Sequence, residues 1–256
     1  MIHPSAIIHP AARLGANVAV GAYSVIGAEV EIGERTTIGP HAIIDGPTRI
    51  GCDNQIGSFS VLGGPPQDKK YAGEPTRLEV GDRNTIREYC TFSRGTAGDA
   101  GVTRVGSDNW IMAYVHIAHD CAIGSNTVLA NNTQLAGHVH VGDWAVLGGF
   151  TGVHQFVRIG AHAMIGGGTM LRQDVPPYIT IAGNPPKAFG VNAEGLRRRG
   201  YAAAAIEAIQ RAYRTLYRDG LALEAARAEL GRQAAAAPEI VPLVDFLNAA
   251  SRGIVR

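Results

Sequence analysis

The chain has 256 residues, 33 of them glycine, with 46% hydrophobic and only 6% aromatic residues and a formal charge of +1. That is enough apolar material for a sizeable core, but one made of thin aliphatic layers. So neutral a charge argues against the basic excess expected of a nucleic-acid-binding protein, and no apolar run suggests an integral membrane segment or a signal peptide.

From Ile2 onward an aliphatic residue returns every six positions, through Ile8, Leu14, Val20 and Ile26 to Leu62, and the residue after it is usually glycine. The period resumes at Val80, then at Val105, and runs to Leu171. The fifth place of a hexad is almost always small or β-branched, as in Ala12, Val18, Ser24, Thr36, Cys90 and Cys121, and suits the inside of a tight corner. A period of six matches neither a helix nor a flat strand. It predicts a parallel β-helix, in which no repeat buries its own apolar face and stacked coils share one core. Three hexads make a coil of about eighteen residues, so residues eighteen apart should lie one above another at roughly 4.8 Å. Cys52, Cys90 and Cys121 show no paired spacing, which points to reduced thiols and a cytoplasmic protein.

Two segments break the period and read as loops projecting from corners: residues 64–79 (GPPQDKKYAGEPTRLE) and 94–104 (RGTAGDAGVTR). The first holds Asp68 and Lys70 beside Tyr71 and is either a solvated loop or a lid whose lysine meets a phosphate. The repeat region is assigned to residues 1–190 and a helical region to 191–256, with Val175-Pro176-Pro177 ending the period. In the tail, Ile206, Ile209, Tyr213, Leu216 and Tyr217 share one helical face while Glu207, Arg211, Arg214 and Arg218 share another, and Gly220 stops the helix. Further helices are expected around Leu223, Ala226 and Leu230, and from Pro238 through Leu247. Ten arginines against seven acidic residues make the tail basic, and on composition alone that face is simply solvated.

Aliphatics fill the inward positions, so chemistry must come from outward ones. His116-Ile117-Ala118-His119-Asp120 is the densest polar cluster. The eighteen-residue rule lays Gly137 over His119, Gln155 over Gly137 and His138 over Asp120, with His154 in the next column. Such a patch suits acyl transfer from a thioester to an alcohol. His119 takes the hydroxyl proton, imidazole being the side chain that titrates near neutrality. Asp120 orients it, if the two side chains meet, and the Gly137 N–H faces the developing oxyanion. No serine or cysteine nucleophile is needed. The competing readings are a zinc site built from some of the nine histidines, as in trimeric β-helix carbonic anhydrases, and a purely structural solenoid.

The segments QDKKYAGEPTR (67–77), HIAHDC (116–121), LANNTQLAGHV (129–139), GVHQF (152–156), GAHAMIGGG (160–168), QDVPPY (173–178) and FGVNAEGLRRRG (189–200) resemble the UDP-N-acetylglucosamine O-acyltransferase family of hexapeptide-repeat enzymes, over the whole chain. The resemblance implies a left-handed parallel β-helix followed by a small α-helical region, assembled as a homotrimer with sites in clefts between chains. It implies transfer of a 3-hydroxyacyl chain from acyl carrier protein to the 3-hydroxyl of UDP-N-acetylglucosamine, the first step of lipid A synthesis, without a cofactor or metal. On that pattern His119, Asp120 and Gly137 are catalytic, and His116, His138, His154 and Gln155 line the sugar and acyl pocket. Asp68, Lys70, Asn192, Glu194, Arg198 and Arg199 hold the nucleotide sugar, and the basic tail docks the acidic carrier. Gly167 falls where acyl length is set, and a glycine there implies a chain of about fourteen carbons, since each methylene is felt by an apolar pocket. Ser93 departs from the family, which often has histidine before Arg-Gly-Thr. The alternatives are the N-acyltransferase of the same pathway, which has an extra domain before its repeats, and a coenzyme A-dependent acetyltransferase, which lacks this tail signature.

Overall fold

Every six residues the chain turns a corner, and after three corners it lies on top of itself. The structure, a computed structural model, describes residues 1–250 and 252–256. Short strands form three sheets of nine, eight and ten strands, the faces of a triangular prism that winds left-handed. The first face runs from Ile7–Ile8 to Met170–Leu171, the second from Arg13–Leu14 to Arg158–Ile159, and the third from Ala19–Val20 to Ile179–Ala182. Paired residues are eighteen apart in most of the prism, as in His116 with Gln134. The offset is thirty across the first insertion, Val61 with Thr91, and twenty-five across the second, Thr91 with His116.

Both insertions are shorter than the broken period suggests, because Arg77–Val80 and Val102–Val105 are already strand. Only residues 65–76 and 94–101 leave the coil. The period also continues past its expected end. Val175 bridges Ile159 on the second face, and Ile179–Ala182 adds a strand to the third before Lys187–Val191 closes that sheet antiparallel. Pro176 and Pro177 are tolerated because among the described residues no further coil stands beyond Pro176 to accept an N–H, and Pro177 takes the third place of its hexad, where, as at Gly137, the amide bonds no backbone acceptor.

The hexad aliphatics, among them Ile44, Leu62, Ile117, Leu135 and Leu147, are fully buried. Each contributes about 2 kcal/mol, whereas ordering costs about 1 to 2 kcal/mol for every residue of a coil. A lone coil therefore cannot stand, and stacking supplies the remainder through backbone ladders and shared core. Twenty non-glycine residues at the fourth place of their hexads have φ between 55° and 72°, so most corners are turned by one left-handed residue.

Corner residues consequently form columns. On the corner between the second and third faces, Arg35 pairs with Asp53 at 2.7 Å and Arg83 with Asp108 at 2.7 Å. On the corner between the third and first faces, Tyr23, His41, Phe59, Tyr89 and Tyr114 stack with centroids 4.9–5.2 Å apart, largely exposed.

The tail folds as α1 (Ala193–Arg198), α2 (Ala203–Tyr217), α3 (Leu223–Ala234), a 3-10 turn at Pro238–Ile240 and α4 (Val241–Ala249). Ile206, Ile209 and Leu216 of α2 pack with Leu230, Leu243 and Leu247 in a second core, which Val191 and Tyr217 join to the prism. Glu207, Arg211, Arg214 and Arg218 face solvent, as their spacing predicts. Among the described residues, no helix is long and apolar enough to cross a membrane.

Candidate active site

The corner between the first and second faces carries Asp120, His138 and Phe156 one above another, with φ of 59°, 62° and 65°. The left-handed backbone turns each side chain out of the coil, and the ladder bond from the His138 N–H to the His119 carbonyl, 3.0 Å, fixes the stacking. Here the adjacency of His119 and Asp120 becomes contact. Asp120 Oδ2 lies 2.9 Å from His119 Nδ1. The carboxylate also accepts the Thr96 hydroxyl at 2.6 Å and the Thr96 N–H at 2.9 Å, and its own backbone N–H donates to Thr103 Oγ1 at 2.8 Å. With its side chain 1% exposed, Asp120 is held rigidly as an acceptor. The proton on His119 is thereby assigned to Nδ1, leaving Nε2 as the free base.

Gly137, one coil further on, lies against that ring. A β-carbon on it would sit 2.7 Å from His119 Nε2 and 2.5 Å from Cε1, closer than atoms approach, so only glycine admits the imidazole here. The Gly137 N–H donates to no acceptor among the described residues, while its carbonyl accepts the Phe156 N–H at 3.1 Å. His119 Nε2 and the Gly137 N–H are thus both left without a partner among the described residues. Neither cysteine of the core competes as nucleophile, because burial pushes the Cys90 thiol to about 11 and the Cys121 thiol to about 12.

His138 stacks on Phe156 at 4.3 Å and meets His119 edge-on at 5.1 Å. Its Nδ1 lies 2.8 Å from Asp99 Oδ2 and its Nε2 3.9 Å from Asp120 Oδ2. The hydrogen bond from His138 holds the Asp99 carboxyl below the usual carboxylate range. Between the insertions opens a cavity of about 390 Å³ lined by Asp68, Lys70, Thr96, Asp99, His138 and Phe156. Asp68 caps its own loop by accepting the Lys70 N–H at 3.0 Å. The buried Arg94 guanidinium ties both insertions to the coil, donating to the Gly63 carbonyl at 2.9 Å, the Gly46 carbonyl and Tyr71 Oη at 3.3 Å.

On the first face, a more apolar groove of about 460 Å³ runs past His116, Gln134, Gly152, His154 and Met170. Burial lowers the His116 pKa, and its Nδ1 meets Thr91 Oγ1 at 2.7 Å. Gln155 is exposed beside His154. Gly167 stands at the corner between the third and first faces, where a β-carbon would meet only the Gly149 carbonyl at 3.2 Å and the Gly149 nitrogen at 3.8 Å. Ser93 is buried at the end of its strand.

The four tail residues gather elsewhere. Asn192 caps α1 by accepting the Gly195 N–H at 3.1 Å and donates to the His162 carbonyl at 3.0 Å. Arg199 lies over the Trp144 ring at 5.2 Å and within 3.2 Å of His162 Nδ1. Glu194 pairs on the exposed side of α1 with Arg197 and, at 3.0 Å, with Arg198. Trp144, His162 and Tyr178 belong to the corner between the second and third faces, so within one chain a whole face of the prism separates these residues from His119.

Thr96, Asp99 and Phe156 did not stand out in the sequence. Phe156 was within reach, because it lies eighteen residues beyond His138. Thr96 and Asp99 were not, because an aperiodic insertion offers no spacing rule. The zinc reading finds a partial echo. His119, Asp120 and His138 present ligand atoms within 4.8 Å of one another. Each is already engaged in a hydrogen-bonded pair, His119 with Asp120 and His138 with Asp99, which suits imidazoles working on protons.

Residues 174–255 match the family described as UDP N-acetylglucosamine O-acyltransferase, domain 2, and residues 11–46 and 103–137 match the bacterial transferase hexapeptide repeat. An acyl-[acyl-carrier-protein]--UDP-N-acetylglucosamine O-acyltransferase of Thiobacillus denitrificans is 57% identical, with 100% of this chain and 99% of that protein covered. The chain belongs to the UDP-N-acetylglucosamine O-acyltransferase family. Solved structures of the family superpose on the chain as well. The UDP-N-acetylglucosamine O-acyltransferase of Moraxella catarrhalis superposes with a TM-score of 0.98 at 46% identity, covering 100% of this chain and 99% of that one. The LpxA of Acinetobacter baumannii superposes at 0.97 with 43% identity and the same coverage. Family membership thus extends over both the prism and the helical tail.

Proposed function

We propose that the chain transfers a 3-hydroxyacyl group from acyl carrier protein to the 3-hydroxyl of UDP-N-acetylglucosamine, the first step of lipid A biosynthesis, with His119 as general base. The observation behind this reading is the His119 ring, tied through Nδ1 to Asp120 and lying with Nε2 against Gly137. Nε2 takes the proton of the sugar hydroxyl as its oxygen attacks the thioester carbon. The carbonyl electron pair moves to oxygen, which the Gly137 N–H stabilises. Collapse breaks the C–S bond, and the departing thiolate recovers the proton from His119. Asp120, fixed by Thr96, orients the ring and offsets the charge of the transient imidazolium.

The cavity between the insertions takes the sugar, with Asp68, Lys70 and His138 at its polar wall, and the groove past His116 and His154, with Gln155 exposed beside it, takes the acyl chain towards Gly167. Asn192, Glu194, Arg198 and Arg199 serve the nucleotide from a second chain. Their place on a different corner from His119 supports a homotrimer, because a threefold arrangement brings one corner of each prism to another corner of its neighbour. The third corner, with its exposed ring stack from Tyr23 to Tyr114, is then left to line the axis. Sedimentation at the mass of three chains is expected, and a monomer of full activity would refute shared sites.

Arg211, Arg214 and Arg218 offer the acidic carrier a basic face. The decisive assay supplies UDP-N-acetylglucosamine and a panel of 3-hydroxyacyl carrier proteins at rising salt. Turnover should peak with an acyl chain of about fourteen carbons, because the open Gly167 corner rewards each added methylene. KM for the carrier should rise with salt as the charges are screened. A preference for shorter, ten-carbon-type donors would overturn the length assignment, and a salt-insensitive KM the docking face. Near-stoichiometric zinc with bicarbonate dehydration would overturn the function itself.

A further inference from the structure

We propose that Asp99, on the second insertion, is a positioning residue that sets the tautomer of His138, keeping the proton on Nδ1 and leaving Nε2 as the atom that meets the sugar. The proposal rests on the acyltransferase reading of the site for what Nε2 does, and on geometry alone for how it is held.

The His138 ring has little freedom left. Phe156 covers one face at 4.3 Å with planes 12° apart, and His119 abuts the edge at 5.1 Å. Its backbone is a corner residue with φ 62°, fixed by ladder bonds. What packing does not decide is which nitrogen bears the proton, because stacking is blind to tautomer. The only strong partner of either ring nitrogen among the described residues is the Asp99 carboxylate, 2.8 Å from Nδ1. A carboxylate only accepts, so Nδ1 must carry hydrogen.

Asp99 is itself held in place. Its N–H reaches back to the Thr96 carbonyl at 3.3 Å, and its Oδ1 accepts the Ala100 N–H at 2.8 Å, which orients Oδ2 towards His138. An ordinary surface pair loses most of its worth to the entropy of two mobile side chains. Here packing fixes one partner and a turn fixes the other, so the contact can govern chemistry although the Asp99 side chain is 47% exposed. The same insertion holds Asp120 through Thr96. One short loop therefore sets both imidazoles, His119 through Asp120 and His138 through Asp99.

Asp99→Asn separates this role from simple loop anchoring. The amide can donate to Nδ1, which moves the ring proton to Nε2 while keeping a hydrogen bond and the loop in place. Nitrogen-15 ring shifts of His138 in the free protein are expected to report the reversed tautomer. kcat/KM for the UDP-sugar should fall about tenfold, the low end of what an outer carboxylate partner of a working imidazole is worth. In a His138→Ala background the same substitution should leave the residual rate unchanged, because its whole effect passes through that ring. An unaltered tautomer, or an equal loss in both backgrounds, would overturn the proposal. The ring shifts need no substrate, so they judge the Asp99 contact even if the acyltransferase reading fails.

Discussion

His119→Ala should lower kcat by about 10²–10⁴-fold, the range that a positioned general base contributes, while binding of the UDP-sugar and the melting transition stay near those of the parent chain. The size follows from the absence of a substitute. Asp120 Oδ2 is the nearest alternative acceptor, but Thr96 already engages it at 2.6 Å and its side chain is 1% exposed. His138 points its Nδ1 to Asp99 and keeps its Nε2 3.9 Å from Asp120. Nor should the fold suffer, since the His119 ring sits outside the aliphatic core and its backbone bonds do not depend on the side chain. Single-turnover acyl transfer with saturating donor is the measurement that isolates chemistry from product release. Turnover near that of the parent chain would remove His119 from the role of base.

Gly137→Ala should cost at least about 10²-fold in kcat, the penalty of an ångström-scale displacement of a reacting group, although it deletes no functional atom. The added methyl would lie 2.7 Å from His119 Nε2 and 2.5 Å from Cε1. Contacts so short force the imidazole away, and with it the hydrogen bond to Asp120. The backbone itself raises no objection, because Gly137 does not have the positive φ found at glycines such as Gly63 and Gly168. The amide thought to face the oxyanion also remains. The variant therefore isolates base placement from oxyanion stabilisation, whose loss on its own would cost about 10²–10³-fold. Normal kcat in a folded Gly137→Ala chain would mean that the ring does not work from beside Gly137.

The six-residue period made most of the prism legible, because a residue's inward or outward direction follows from its place in the hexad. Multiplying by three put Gly137 over His119 and His138 over Asp120, and those contacts are found. The tail helices were legible for a similar reason, with Ile206, Ile209 and Leu216 buried at helical spacing. Legibility ended where the period did. Val175-Pro176-Pro177 read as a stop, but proline obstructs a ladder only where a neighbour awaits its N–H, and among the described residues no further coil follows Pro176, the C-terminal Ile254 bridging Asp174 instead. Thr96 and Asp99 were hidden because a loop returning to the corner it left can present any of its residues there. The tail residues Asn192, Glu194, Arg198 and Arg199 were identified by motif alone, and no spacing rule could have shown that they gather on a different corner from His119.

The constant register also bears on how the molecule comes into being. Within the prism, pairing a new strand closes a loop of eighteen residues, and at most thirty where an insertion intervenes. Loop entropy grows only by about 0.6 kcal/mol per doubling of length, so even the two insertions add little to the cost of the next pairing. Assembly can therefore advance one coil at a time along the nascent chain, each finished coil templating its successor. The corner proposed as the active site, whose three members Asp120, His138 and Phe156 belong to successive coils, is completed as the third of them is laid down, before the helical tail is needed.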